Sequence, residues 1–263
     1  MDTHRTAHTP TPTPITLVTV NIRGIRTKIQ HIRRIIQTHH PDFKLFQETN
    51  IKTPSMTRLI QRQLAVHKAF WSLAPRDRQL GRGTAILQPT TNNWTVTENN
   101  NDMNGQYNHV TIQSKNKDQT YKIINIHGPP QVDTNDKRRF YQKFRNTMTV
   151  DTPTLLGGDF NLTTDSLDTT NPNRRGEAPA REIIQDIKEK HRLIDSYRKQ
   201  HPYGHEYTFK KTRLDRFLIP DRDQNINTTH LGETLTYTDH KGVKLTIGHP
   251  PTPKTKHPRV WKF

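Results

Sequence analysis

What most constrains the fold of this chain is where its apolar runs stop. ITLVTV (15–20) runs into Asn21, FKLFQE (43–48) ends on Glu48, YKIINI (121–126) runs into His127, and TLLGG (154–158) runs into Asp159. RLDRFLI (213–219) carries Asp215, and Asp239 and His240 stand just before the run GVKLTI. These runs are short and rich in β-branched and aromatic residues, which is the composition of strands. In α/β sheets, sites form where strand ends and their loops present side chains from distant sequence. The segment LLGGDFNL (155–162) makes the case sharply, because Asp159 and Asn161 are two residues apart. In an extended chain such residues face one spot together.

Helical spacing occurs between these runs. Ile29, Ile32 and Ile36 mark a helix near 28–39 that Pro41 stops, and Phe140, Phe144 and Met148 mark one over 135–149. Ile183, Ile184 and Ile187 mark a third near 179–190. TAILQ (84–88), WTVTE (94–98), YNHVTIQ (107–113), EYTF (206–209) and VKLTI (243–247) read as further strands. Strands outnumber helices, and helices interrupt them singly, which suits sheets covered by helices rather than a barrel or a bundle. Residues 1–14 read as a disordered Thr/Pro-rich arm, 15–248 as one domain, and 249–263 as a basic Pro-rich tail or linker.

The 263 residues suit an α/β domain of ordinary size, although only 29% are hydrophobic. The formal net charge of +17 implies a polyanionic partner, nucleic acid ahead of a membrane surface. There are no cysteines, so disulfides, thiolate metal sites and a cysteine nucleophile are excluded. No apolar stretch approaches the roughly 18 residues of a membrane span, and the first residues lack the apolar core of a secretory signal. The 15 histidines raise a zinc site, but there is no H-E-x-x-H motif to support one.

The ordered segments TVNIRGI (19–25), LFQETNI (45–51), GRGTAIL (81–87), IINIHGPP (123–130), LLGGDFNL, HEYTF (205–209), RLDRFLIP (213–220) and YTDHKGV (237–243) resemble the exonuclease–endonuclease–phosphatase superfamily. Within it the chain looks most like the apurinic-type endonuclease domain of LINE-type, non-LTR retrotransposons. The resemblance implies a four-layer α/β sandwich, two mostly antiparallel β-sheets packed face to face with helices outside. It also implies a Mg2+-dependent phosphodiesterase, with Mn2+ as an alternative ion. Glu48 matches the principal metal ligand, with Asn21 beside it and Asp239 as ligand or neighbour. Asp159 matches the group that orients or deprotonates the attacking water, and Asn161 one that hydrogen-bonds the phosphate. His240 matches the histidine on the scissile phosphate, held by Asp215.

Two positions depart from that pattern. His127 stands where the family usually has Tyr; an imidazole there would donate to the phosphate with a pH-dependent strength. Arg23 stands where repair-type relatives have an acid, which disfavours a second metal and suits a phosphate contact. Arg174, Arg175, Lys210 and Lys211, with Thr208 beside them, are the expected contacts to the DNA backbone. The expectation is therefore a monomeric domain of a larger polyprotein with a reverse transcriptase, acting in the nucleus on double-stranded DNA. It would make the 3′-hydroxyl that primes reverse transcription. The alternatives are a repair-type apurinic/apyrimidinic endonuclease, a superfamily phosphoesterase acting on lipid or inositol phosphates, and a catalytically weak DNA-binding module.

Overall fold

The computed structural model describes residues 12–64, 67–76, 81–130, 134–171, 177–232 and 237–248. In chain order the elements are β1 (Ile15–Asn21), α1 (Ile29–His39), β2 (Phe43–Gln47), α2 (Pro54–Gln63), β3 (His67–Ser72), β4 (Thr84–Pro89), β5 (Trp94–Asn101), β6 (Tyr107–Ser114), β7 (Thr120–His127), α3 (Thr134–Thr147), β8 (Thr154–Asp159), α4 (Ala178–Lys190), β9 (Leu193–Asp195), α5 (Ser196–Gln200), β10 (Asp215–Pro220), β11 (Ile226–Leu231) and β12 (Gly242–Ile247). They build two six-stranded sheets, ordered β11-β12-β1-β2-β4-β3 and β5-β6-β7-β8-β10-β9. Within each sheet one pair is parallel, β1 with β2 and β7 with β8. Parallel neighbours need a crossover, and α1 and α3 supply the two.

The apolar runs are continuous because the strands are covered on both faces. Leu17, Phe43, Leu45 and Leu245 of the first sheet meet Val110, Ile123, Leu155 and Phe217 of the second. Outside the first sheet, Ile32, Ile35 and Ile60 of α1 and α2 cover Val18, Val20 and Phe46. Outside the second, Phe140, Phe144, Ile184 and Ile187 of α3 and α4 cover Ile124, Ile126, Leu156 and Leu218. The result is the expected four-layer α/β sandwich. No described helix is long and apolar enough to cross a membrane.

Strand alternation and register carry the inner faces outward to one rim. Leu17, Thr19 and Asn21 share a face, and so do Leu155, Gly157 and Asp159. At the rim, His127 is in register with Asp159, and Asp159 with Asp215, on three adjacent strands. Residues in register project to the same side of a sheet. The two glycines before Asp159 permit this approach. A Cβ at Gly157 would collide with the Phe217 ring, and one at Gly158 (φ +142°) with the Ile126 carbonyl oxygen.

Several sequence expectations change. EYTF is not a strand: Phe209 makes only isolated bridges, to Thr212 and His240. Backbone bonds between Phe209 and Thr212 close a tight turn, and the Thr208 hydroxyl accepts from the backbone N–H groups of Leu214 and Asp215, 3.0 Å each. The run RLDRFLI becomes strand only from Asp215. α2, β3, β9, α5 and β11 carry no expectation from the sequence. In α2 the run PSMTRLIQRQ buries Ile60 alone, and β11 is a half-exposed edge strand of polar alternation, INTTHL. Residues 1–11 of the expected arm and all of the expected tail 249–263 lie outside the described residues.

Candidate active site

The rim between the two sheets holds the polar residues that end the strands. Asn21 closes β1 and is fully buried; its Nδ2 donates to Glu48 Oε1 and to Asp159 Oδ2, 3.0 Å each. One amide thus ties a carboxylate of the first sheet to a carboxylate of the second. The Asn21 backbone carbonyl accepts from Thr238 Oγ1 at 2.8 Å, which draws in the loop carrying Asp239 and His240. Beneath it, Gln47 Nε2 donates to Thr19 Oγ1 (2.9 Å) and Asn125 Oδ1 (2.6 Å), a buried polar link between the sheets. Glu48 follows β2 with φ +51°, a left-handed conformation that turns its side chain out of the strand into the rim.

Asp159 is wholly buried. Its Oδ1 accepts from the backbone N–H of Asn161 at 2.8 Å, and its Oδ2 from Asn161 Nδ2 at 3.3 Å. The extended run stops at Asp159, and Asn161 has φ +48°. The two residues therefore meet through a turn and not through strand alternation, which corrects the reading from their spacing. Asn161 Nδ2 also donates to the Gly128 carbonyl at 2.9 Å. The phosphate contact expected of this amide requires it to leave one of these partners. Burial raises the Asp159 pKa, and the Asp215 carboxylate raises it further, against the pull of His240, His127 and Asn21.

His240 Nδ1 lies 2.9 Å from Asp215 Oδ2, and its Nε2 lies 3.9 Å from Asp159 Oδ2. The Phe209 ring packs against the imidazole, 4.6 Å between centroids. Burial works against a charged His240, but Asp215, by charge and hydrogen bond, and then Asp159 outweigh it and lift the pKa to about 9. His240 is therefore an imidazolium at neutral pH.

His127 is treated differently. It is 1% exposed, and neither ring nitrogen has a hydrogen-bond partner among the described residues. Nε2 lies 3.6 Å from Glu48 Oε1 and 4.0 Å from Asp159 Oδ2. Burial pushes its pKa down to about 4, with Arg82 and His240 adding to the effect of burial and Asp159 opposing it. Its side chain faces the carboxylates from below.

Glu48, Asp159, Asn161 and His240 border an open cavity of about 380 Å³, together with Arg23, Lys210 and Asp239. The donor set fits a hard divalent cation, since carboxylate and amide oxygens are what such ions take. Asp159, Asp215 and His240 bring ligand atoms within 4.8 Å of one another. In that trio His240 and Asp215 already satisfy each other, so Glu48, whose carboxylate borders the cavity, is the better ligand. Asp239 also borders it, but Arg23 Nη1 lies 2.7 Å from its Oδ2. A guanidinium thus neutralises the carboxylate on that side of the cavity.

Among the expected DNA contacts, Lys210 and Lys211 are exposed in the turn after Phe209, with Lys210 Nζ 5.1 Å from the Phe209 ring centroid. Thr208 is a correction. It is 1% exposed and spends its hydroxyl on the backbone before Asp215, so it positions the Asp215–His240 pair and does not face DNA. Arg174 and Arg175 lie outside the described residues. Phe209 and Thr238 are site residues that the sequence reading missed; the only signal for them was their place in HEYTF and YTDHKGV.

Residues 18–240 match the Endonuclease/Exonuclease/phosphatase family. A Xenopus laevis relative, the transposon TX1 uncharacterized 149 kDa protein, is 25% identical over 173 residues, which is 60% of this chain and 12% of that protein. The chain thus aligns with a small fraction of that relative's length. Three solved structures share the fold. They are the AP endonuclease LMAP from Leishmania major (TM-score 0.73, 14% identity, 90% of this chain and 88% of that one), the Xenopus laevis APE2 catalytic domain (0.72, 17%, 89% and 92%) and an AP endonuclease from Archaeoglobus fulgidus (0.67, 17%, 88% and 98%). With its motifs in order on two facing sheets and its polar strand ends at one rim, the chain belongs to the endonuclease/exonuclease/phosphatase family.

Proposed function

We propose that the chain is a divalent-metal-dependent endonuclease domain of a retrotransposon protein, nicking double-stranded DNA by phosphodiester hydrolysis. The observation that carries this reading is the arrangement at the rim. An imidazolium held by Asp215 and a buried carboxylate, Asp159, stand 3.9 Å apart across from Glu48. Glu48 would hold the divalent cation, magnesium or manganese, which when bound would supply positive charge for the phosphoryl oxygen. His240 Nε2 donates to the phosphate, and its charge offsets the negative charge that develops there. Asp159, held by Asn21 and Asn161 with its proton affinity raised, accepts the proton of the attacking water. Asn161 orients Asp159, and Arg23 either remains on Asp239 or turns to a flanking phosphate. Lys210 and Lys211 hold the duplex beside the cavity.

The net charge of +17 supports a DNA substrate over a small phosphoester. The transposon relative supports a place in a larger protein, where a 3′-hydroxyl made in the nucleus would prime reverse transcription. The test is incubation with supercoiled plasmid, with Mg2+, with Mn2+ and with EDTA, followed by mapping of the nick ends. Nicks bearing 3′-hydroxyls that disappear with EDTA are expected. Equal cleavage in EDTA would remove the metal from the mechanism. Cleavage confined to abasic duplex would make the enzyme a repair nuclease.

A further inference from the structure

The two outer helical layers treat their arginines differently. Outside the second sheet, Arg139 and Arg145 of α3 and Arg181 of α4 pair with Asp136, Asp186 and Glu177. Outside the first sheet, neither α1 nor α2 contains an acidic residue. Arg33 donates to the Gln63 carbonyl and so ties α1 to the end of α2. Arg34, Arg58 and Arg62 are exposed and have no ion-pair partner among the described residues. Arg58 and Arg62 stand at i and i+4, so their like charges share one side of α2 and repel. Such an uncompensated face is unfavourable in the free protein and becomes favourable against a polyanion.

Strand direction places this face. β1 and β2 run parallel and end on the rim with Asn21 and Gln47. α1 therefore runs from the rim back to the far end, where β2 starts. β4 is antiparallel to both β2 and β3, so β3 also starts at the far end and α2 makes the same return. At about 1.5 Å per residue, the turn of helix that carries Arg62 lies about 12 Å from the rim end of α2. Arg26 is exposed in the turn between β1 and α1, and Arg23 borders the cavity. The basic face thus descends from the site over the outer layer.

Resting on the reading of the chain as a nuclease of duplex DNA, we propose that the α1–α2 face is a second contact surface for the target duplex, which bends from the rim onto it. The partner is the phosphate backbone of a double helix and not a single strand. Neither helix carries a Phe, Tyr or Trp, the platforms on which unpaired bases stack. Arginines on phosphates position a duplex without reading its sequence. A duplex lying straight across the rim stays above Arg62, so one flank of the target curves to meet it. Ease of bending in that flank then becomes part of target choice, at base pairs that the protein does not touch.

The test measures binding of the full chain, by fluorescence anisotropy in EDTA, to two duplexes. One has about 12 base pairs, little more than a helical turn, and the other about 40. The variant combines Arg34→Gln, Arg58→Gln and Arg62→Gln, all exposed positions. It should bind the long duplex about tenfold or more weakly than the wild type does, with a salt slope flatter by about 0.9 per lost contact. The short duplex should bind both proteins alike. Energy transfer between dyes at the two ends of the long duplex should rise with the wild type and not with the variant. Equal loss on both lengths would make the arginines a general field and overturn the proposal. A variant that binds both duplexes as the wild type does would overturn it too and leave the face to another partner. Energy transfer unchanged by the wild type would remove the bend, and the proposal with it. Plasmid nicking separates the two levels. Any of these failures with a wild type that nicks leaves the nuclease reading standing, whereas a wild type that neither binds duplex nor nicks removes both.

Discussion

Asp215 Oδ2 and His240 Nδ1 lie 2.9 Å apart, both buried, at the junction of β10 with the loop that precedes β12. The carboxylate fixes the tautomer and favours the cation, lifting the His240 pKa against burial to about 9 from an ordinary 6.5. A folded pKa above the unfolded one means that the stabilisation is complete below pH 6.5 and is lost as pH rises through about 9. A nicking reaction that needs the imidazolium should therefore fall off on the alkaline side near that value. Asp215→Asn should move the alkaline limb down toward 6.5 and slow the reaction at every pH above it. Initial rates of plasmid nicking across the pH range, wild type against variant, make the comparison. Superimposable profiles would mean that Asp215 does not set the His240 charge.

Asp159 gives the acid limb. Burial and Asp215 raise its pKa, so it takes up a proton at a higher pH than an ordinary aspartate does. Activity that needs its carboxylate should rise through that pKa as pH increases. Asp159→Asn should reduce nicking by about 10²–10⁴-fold, the usual contribution of a general base. The fold should persist, since Asn keeps the size of the side chain and one oxygen that can accept from the Asn161 backbone N–H, although its NH2 group cannot accept from Asn21 as the carboxylate does. A variant with native circular dichroism and a near-normal rate would leave the water without this base.

The exposed pair after Phe209 predicts how binding responds to salt. Each lysine on a phosphate releases counterions, so Lys210→Ala combined with Lys211→Ala should weaken duplex binding and flatten the slope of log affinity against log salt. The change should be about 0.9 per lost contact. Fluorescence anisotropy over a salt series reads both quantities. Loss of affinity with an unchanged slope would assign the two lysines to something other than phosphate.

Much of this site was legible because its chemistry sits where apolar runs end. Asn21, Glu48, His127 and Asp159 each stand where a strand-like run ends, and the sheets gather such ends on one rim. What could not be read depends on pairing between distant strands or on backbone turns. The row His127–Asp159–Asp215 exists only through register. Asn161 returns to Asp159 through a left-handed turn that a polar spacing cannot show. Thr208 looked like a surface residue because its neighbours are lysines, yet its hydroxyl is needed by two buried N–H groups. His127, expected on the phosphate in place of a Tyr, is buried beside the carboxylates of Glu48 and Asp159, a depth that the sequence does not show.

Arg213 was the least legible of all, because its partners lie far away in sequence. It has no exposed surface, and its Nε donates to Asp168 Oδ1 at 2.8 Å, its Nη2 to Asp195 Oδ2 at 2.7 Å. Arg216 Nη1 reaches Asp168 Oδ2 at 3.0 Å, and Arg198 Nη2 reaches Asp168 Oδ1 at 2.6 Å. Asp195 also caps α5 by accepting from the N–H groups of Tyr197 and Arg198. The guanidinium groups of Arg216 and Arg213 hold the Asp168 carboxyl far below the usual carboxylate range, although burial alone would raise it. Two residues beyond Arg213 the chain reaches Asp215, so this charged cluster anchors the strand that supports His240. Arg213→Ala would leave Asp168 with its remaining arginines and deprive Asp195 of its bidentate partner. Breaking a buried pair in this way is destabilising by about 3–5 kcal/mol. Urea unfolding should show the loss at neutral pH. Because the folded Asp168 pKa is depressed, its contribution is present above the ordinary value of 3.8 and fades as pH falls through the folded pKa. The difference between wild type and variant should therefore narrow in acid. A variant of wild-type stability at pH 7 would show that the arginine is dispensable and that β10 is held by the Phe217 and Leu218 packing alone.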